Sequence, residues 1–93
     1  MVLGADFDEL VKRDGLYYKK FTNVPFTGKI TGKVQGSSRN GKKHGPWVRY
    51  WSNGQLRNQG TYKDGDEDGP WVWYQDGGQL EAKGTYKDGK KID

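Results

Sequence analysis

Gly45-Pro46-Trp47-Val48-Arg49-Tyr50 returns 24 residues later as Gly69-Pro70-Trp71-Val72-Trp73-Tyr74. Gly54-Gln55-Leu56 returns as Gly78-Gln79-Leu80, and Gly60-Thr61-Tyr62-Lys63-Asp64-Gly65 returns unchanged as Gly84-Thr85-Tyr86-Lys87-Asp88-Gly89. Positions 45–68 and 69–92 share 14 identities in 24, far beyond coincidence. Self-similarity at a fixed period marks an array whose units bury their apolar faces against one another. The glycines carry the period backward: Gly36, Gly60 and Gly84 keep it, as do Gly41, Gly65 and Gly89. An earlier, degenerate unit therefore precedes the two clear ones and lacks the Pro-Trp-Val signature. Its opening is read at Gly15-Leu16-Tyr17-Tyr18, with Val24-Pro25-Phe26 inserted after it. The chain reads as one domain, 1–93: a lead-in over 1–13, a degenerate repeat over 14–44, and repeats over 45–68 and 69–93.

Each unit has the pattern of a β-hairpin. Pro46 to Trp51 is short, aromatic and β-branched, Asn53-Gly54 is a strong type I′ turn signal, and Gln55 to Lys63 returns as the second strand. Gly77-Gly78 takes the turn in the next unit, and Asp64-Gly65 and Asp88-Gly89 mark the connections. Asp14-Gly15 turns an N-terminal hairpin of Leu10 to Arg13 and Leu16 to Lys20; Phe7 to Val11 allows one short helical turn. With Asn53 and Gly54 as the central turn residues, Trp51 pairs with Leu56, Tyr50 with Arg57 and Trp47 with Gly60. Directly opposed residues share a side of the sheet. One face then carries Trp47, Trp51, Leu56, Gly60 and Tyr62, repeated as Trp71, Trp73, Leu80, Ala82, Gly84 and Tyr86. The other carries Val48, Tyr50, Arg57, Gln59 and Thr61, repeated as Val72, Tyr74, Glu81, Lys83 and Thr85. An aromatic ring over a cross-strand glycine covers its bare backbone. On this reading Trp47 covers Gly60 and Trp71 covers Gly84, which makes the first face the core.

Composition narrows the function classes. In 93 residues there is no cysteine, so disulfides and thiolate metal sites are excluded, and His44 is the one histidine. Aromatics make up 14% against 31% hydrophobic in all, so the core is thin and built from rings; that content also argues against disorder. No apolar run is long enough to span a membrane, and the acidic Met1–Leu10 stretch is no secretory signal. This places the chain in the cytoplasm by default, with an exported mature form left open. The formal charge of +4 is uneven: residues 1–45 hold nine Lys/Arg and four Asp/Glu, and residues 46–93 hold seven and eight. The basic residues are scattered, which suits solubility and protected sheet edges. The sharper reading is an acidic partner, lipid or nucleic acid.

Gly-Pro-Trp-Val-x-Tyr, x-Asn-Gly-Gln-Leu and Gly-x-Tyr-Lys-x-Gly-x-x-x-Gly together resemble the variant MORN (membrane occupation and recognition nexus) repeat. Asp14 to Tyr18 and Pro25 to Gly28 are similar to the lead-in of bacterial proteins that act as the antitoxin component of YwqK-type toxin–antitoxin modules. The resemblance runs over roughly residues 14–91. It implies an all-β fold, an antiparallel hairpin meander of about 24-residue repeats in one single-layer twisted sheet. It also implies a non-enzymatic module that binds other proteins, or in related proteins lipid.

The residues offer little chemistry. His44 takes the repeat position of Asp68, so it reads as a solvated turn residue. Asp64, Asp66, Glu67 and Asp68 suggest calcium, but the equivalent connection holds Asp88, Lys90, Lys91 and Ile92, which do not ligate it as a set. Gly28-Lys29-Ile30-Thr31-Gly32-Lys33 lacks the helix a phosphate loop needs and reads as a glycine-rich strand or bulge. No catalytic constellation, metal or cofactor is expected. The structural set of the repeat is Trp47, Gly60, Tyr62, Trp71, Gly84 and Tyr86. The candidate partner-binding set is Tyr50, Trp51, Arg57, Trp73 and Tyr74, because interfaces favour Trp, Tyr and Arg. A protein partner such as a toxin is the leading expectation, and open sheet edges allow self-association. The alternative is a membrane-surface module using Lys19, Lys20, Lys29, Lys33, Lys42 and Lys43 on anionic lipid. Nucleic acid is disfavoured, since Glu81 lies beside Arg57 in the pattern and the second half is net acidic.

Overall fold

The computed structural model describes residues 4–93, and strands dominate them. In chain order these are β1 (Gly4–Asp6), a 3-10 turn (Phe7–Glu9), β2 (Leu10–Arg13), β3 (Leu16–Lys19), β4 (Gly28–Thr31) and β5 (Val34–Arg39). There follow β6 (Lys42–Lys43), β7 (Gly45–Tyr50), β8 (Leu56–Lys63), β9 (Asp66–Glu67), β10 (Gly69–Tyr74), β11 (Leu80–Lys87) and β12 (Lys90–Lys91). The main sheet runs β1-β4-β5-β7-β8-β10-β11-β12, with β6 on β5 and β9 on β8. From β4 onward every pairing is antiparallel, which is the hairpin meander the repeat pattern calls for.

Two N-terminal features add to that meander. β1 joins the outer edge of β4 in parallel. β2 and β3 form the expected Asp14-Gly15 hairpin, but as a separate two-stranded sheet. It is tied to the main sheet by the Tyr17 N–H, which donates to the Gly41 carbonyl at 2.8 Å. Leu10 of this hairpin joins Ala5, Phe26, Ile30 and Trp47 in a buried cluster, with Phe7, Tyr17, Val34 and Tyr62 packed against it. The short turn over Phe7–Glu9 is fixed by Asp6, whose carboxylate accepts from the Asp8 N–H while Glu9 accepts from the Asp6 N–H.

The degenerate unit opens later than the sequence reading placed it. β5 pairs with β4, Lys29 opposite Ser37 and Ile30 opposite Gly36, whereas Leu16–Lys19 pairs with β2. Ile30 therefore holds the position of Trp47 and Trp71, and at 1% exposure it is the most buried large side chain. An aliphatic residue serves there because β1 and the N-terminal hairpin already cover that end.

The turns also differ from expectation. Asn53-Gly54 is not a type I′ pair. The Gly54 N–H donates to the Trp51 carbonyl and the Trp51 N–H to the Gln55 carbonyl, so Ser52-Asn53-Gly54 is a three-residue loop. Only Gly54 has positive φ, at 87°. This is a turn followed by a glycine in the left-handed region. Asn53 instead accepts from the Gln55 N–H at 2.9 Å. Asp76-Gly77-Gly78 repeats the arrangement, with Gly78 at φ 91°. The true type I′ pairs are Asp14-Gly15, Asn40-Gly41, Asp64-Gly65 and Asp88-Gly89, all with positive φ at both residues.

The longer loop shifts the pairing by one residue, giving Tyr50 opposite Leu56, and a bulge at Arg57 shifts it back, giving Arg49 opposite Asn58 and Trp47 opposite Gly60. Glu81 is skipped in the same way in the next unit. Leu56 and Leu80 consequently join Tyr50 and Tyr74 on the second face; their placement on the first face is corrected.

The seam between hairpins explains the tryptophans. β8 and β10 pair only at Gln59–Val72 and Asn58–Trp73, and β5 and β7 only at Gln35–Val48 and Val34–Arg49. Beyond these pairs the indole of Trp71 donates its Nε1–H to the Thr61 carbonyl at 3.1 Å, and Trp47 donates to Ser37 at 3.0 Å. A Cβ on Gly60 would lie 2.0 Å from the Trp71 ring, and one on Gly36 2.5 Å from the Trp47 ring. Each tryptophan thus covers the glycine of the preceding unit, not its own hairpin partner. Gly84 meets the Lys91 stem instead of an indole.

Candidate binding surfaces

The first face is an aromatic ladder built by the period-two alternation of successive strands. Trp47 packs edge-on to Tyr62 at 5.8 Å between centroids, and Tyr62 to Trp71 at 4.9 Å. Trp71 stacks on Trp73 at 6.0 Å, and Trp73 meets Tyr86 at 6.0 Å. Trp47 and Trp71 are buried at 3% and 5% exposure, so the first face is the core face, as expected. Trp73, offered as a binding residue, belongs to this ladder and is half-buried in it.

The second face is open. A groove of about 920 Å³ runs across it, lined by outward residues such as Pro46, Val48, Pro70 and Val72, and bounded also by Trp47 and Trp71 of the core face. The alternation that turns Trp47 and Arg49 inward turns Pro46, Val48 and Tyr50 outward. Val48, Gln59, Val72 and Lys83 form one cross-strand row. The next outward pairs along the strands are Tyr50–Leu56 and Tyr74–Leu80. Leu80 is 54% exposed.

Trp51, Arg57 and Tyr74 meet at the hairpin tips. The Arg57 guanidinium lies 4.3 Å from the Trp51 ring centroid, and Trp51 Nε1 donates to the Tyr74 carbonyl at 3.1 Å. Asn53 Nδ2 donates to the Asp76 carbonyl, pinning one tip to the next. Of the candidate binding set, Tyr50, Trp51, Arg57 and Tyr74 gather at this end of the sheet, and Trp73 is the one that does not.

The six lysines proposed for lipid do not share a plane. Lys29 is opposite Ser37 on the second face, Lys43 lies over the Trp47 and Tyr62 rings on the first, and Lys19 closes the separate hairpin. His44 sits in a connection, where its Nδ1 accepts from the Asp64 N–H at 3.3 Å. Asp64 pairs with Arg39 at 2.9 Å, and the hydrogen bond from Arg39 holds the Asp64 carboxyl below the usual carboxylate range, helped by the charges of Arg39 and Lys42. Among the described residues no three His, Cys, Asp or Glu side chains come together as metal ligands. No helix among them is long and apolar enough to cross a membrane.

Sequence reasoning missed two features of these surfaces. Leu56 and Leu80 reach the second face because the three-residue loops set them opposite Tyr50 and Tyr74, and the bulge that then restores the register leaves no mark in the residue pattern. Phe21 is fully exposed at φ 66°, in a region that bulky residues seldom occupy; its neighbours Lys20 and Thr22 gave no sign of it.

Comparison with protein families finds the MORN repeat variant at residues 43–64 and again at residues 67–88, two adjacent units starting 24 residues apart. Repeats of this kind generally serve as non-catalytic binding modules. No curated protein matches the chain. No solved structure matches it either.

Proposed function

We propose that the chain is a non-catalytic protein-binding module that masks a partner with its second face. The observation that supports this is the double shift at Leu56–Arg57 and Leu80–Glu81. It sets two leucines beside two tyrosines, extending the Pro-Val floor of the groove into an apolar strip repeated once per unit. Exposed apolar strips with polar rims mark interaction sites. Tyr50 and Tyr74 are the anchors, and Trp51 with its stacked Arg57 forms the rim at the hairpin tips. Gln59 and Lys83 supply polar contacts within the groove. The bacterial antitoxins the sequence resembles supply the corresponding role: the partner is a toxin whose working surface this face covers.

The test is capture of a binding protein from native lysate by the tagged chain, in low and in high salt, beside two variants. Tyr74→Ala on the second face is expected to weaken capture by about 30-fold, the effect of losing an anchor worth roughly 2 kcal/mol. Ala82→Glu on the first face is expected to leave it unchanged. A partner that Tyr74→Ala retains and Ala82→Glu loses would refute the assignment of the face.

A further inference from the structure

The first face holds a second, smaller concavity of about 160 Å³, between the N-terminal hairpin and the main sheet. Its polar lining is Tyr17, Lys43, Arg49, Asn58 and Tyr62. Tyr17 comes from β3, Arg49 and Asn58 are a directly opposed pair on β7 and β8, and Tyr62 belongs to the aromatic ladder. The Lys43 ammonium is held over two rings, 4.7 Å from the Tyr62 centroid and 5.2 Å from that of Trp47, with Nζ 3.5 Å from the Tyr62 hydroxyl. Lys12 is directly opposite Tyr17 in the N-terminal hairpin, and its Nζ lies 5.6 Å from that ring.

Two cations, Lys43 and Arg49, therefore line one small space, and a third, Lys12, lies over the Tyr17 ring that lines it too. None of Lys12, Lys43 and Arg49 forms an ion pair among the described residues; the Arg39–Asp64 pair involves none of them. Burial holds the Lys43 ammonium below its ordinary range, and the charges of Lys12 and Arg49 push it further down against the single opposing pull of Glu67. Burial raises both tyrosines, so Tyr17 and Tyr62 keep their protons at neutral pH. Ammonium, guanidinium and phenol groups here all offer donors, and the lysines and arginine offer nothing else. A site of donors around an uncompensated positive charge suits a ligand that only accepts. The lining holds two cations and no carboxylate, which suits a multiply charged oxyanion. Folding that holds like charges together without a counter-ion is a mark of a functional site.

We infer that the concavity lined by Lys43 and Arg49, with Lys12 over the adjoining Tyr17 ring, binds a small soluble oxyanion of the phosphate class. The site lies on the face opposite the docking strip and is independent of it. Inorganic phosphate is the probe, titrated at constant ionic strength against chloride and followed by the Trp47 indole N–H resonance and by thermal unfolding. Saturable binding and a raised melting temperature are expected for the wild type. Lys43→Met and Arg49→Gln are each expected to weaken binding about tenfold or more, while Lys29→Met, on the other face, leaves it unchanged. Arg49 is exposed, so Arg49→Gln keeps the test informative if Lys43→Met fails to fold. Phosphate binding that Arg49→Gln does not weaken would overturn the inference, as would a response that chloride reproduces. So would sedimentation with phosphatidylserine-containing vesicles without any binding of free phosphate.

Discussion

Gly60 and Gly84 occupy the same place in successive repeats, yet alanine should be tolerated at only one of them. Neither has left-handed backbone, so conformation does not separate them. What separates them is the cover. A Cβ on Gly60 would meet three Trp71 ring atoms at 2.0 to 2.6 Å. The indole is buried, bonded through Nε1 to Thr61 and flanked by Tyr62 and Trp73, so it has little room to withdraw. Overpacking of this kind costs about 1–3 kcal/mol, and displacing the indole from Thr61 adds about 1 kcal/mol. We expect Gly60→Ala to lose about 3 kcal/mol, or roughly 10–20 °C in melting temperature for a domain of this size. A Cβ on Gly84 would press on Lys91 Cε at 2.7 Å, the far end of a flexible side chain that can swing into solvent. Relief of unfolded-state entropy is worth about 0.4–1 kcal/mol, so Gly84→Ala should match or slightly exceed the wild type. The assay is urea and thermal unfolding followed by tryptophan fluorescence. In a Trp71→Ala background the cost of Gly60→Ala should vanish, because the two changes act through one contact. Equal losses at Gly60 and Gly84 would refute the reasoning and return Trp71 to its own hairpin partner. A Gly60→Ala cost that survives removal of Trp71 would refute it too.

Trp71→Ala should lower stability by about 3–5 kcal/mol and Trp73→Ala, half-buried at the end of the ladder, by roughly 1–2 kcal/mol; chemical denaturation that ranks them in the opposite order would displace Trp71 from the core. Asp64 gives an acid-side signature. Its folded carboxyl titrates below its ordinary value of 3.8, so its contribution is complete at neutral pH and is lost as pH falls through 3.8 toward the folded value. Melting temperature against pH should therefore be less steep in this window for Asp64→Asn, and also for Arg39→Gln, which removes the hydrogen bond that causes the shift; wild-type slopes in both would mean that the pair is not formed in solution.

Much of this architecture was legible because the repeat supplies two independent copies of each signal. The hairpins, the Asp-Gly connections and the inward ladder of Trp47, Tyr62, Trp71 and Tyr86 follow from alternation and turn chemistry alone. The central pairing of Trp47 with Gly60 was also correct, but by cancellation: the loop is one residue longer than read, and the bulge at Arg57 takes that residue back. The extra loop residue puts Leu56 and Leu80 on the face opposite to the one read, and the bulge that hides it depends on how the strand twists against its neighbours rather than on residue type. The cover of each glycine was ambiguous for a different reason. Trp47 lies between Gly36 and Gly60, both of which keep the same period. Periodicity cannot choose between them; only the parting of strands at the seam does. The N-terminal layer left the faintest trace. Ala5, Leu10, Phe26 and Ile30 come together from distant, unrepeated stretches, with no pattern to join them. For the proposed docking strip, Tyr50 and Tyr74 stand out in the composition. The meeting of Lys43 and Arg49 with Tyr17 does not, since only the folding of β2–β3 over the sheet brings Tyr17 to the other two.

The seam has a consequence for how such a chain grows. Each unit arrives with the indole that shields the glycine before it and leaves a bare glycine and a carbonyl for whatever follows. The join is the same at Gly36–Trp47 and at Gly60–Trp71. An in-frame duplication of the 24 residues from Gly45 to Asp68 would create a junction chemically identical to the existing ones, and a deletion of the same length would remove one without orphaning a partner. A tryptophan lost by point mutation injures the unit upstream of it, and a side chain gained at the glycine injures the unit downstream. Selection at these two positions therefore acts across the join, tying neighbours together while leaving the number of units free to change.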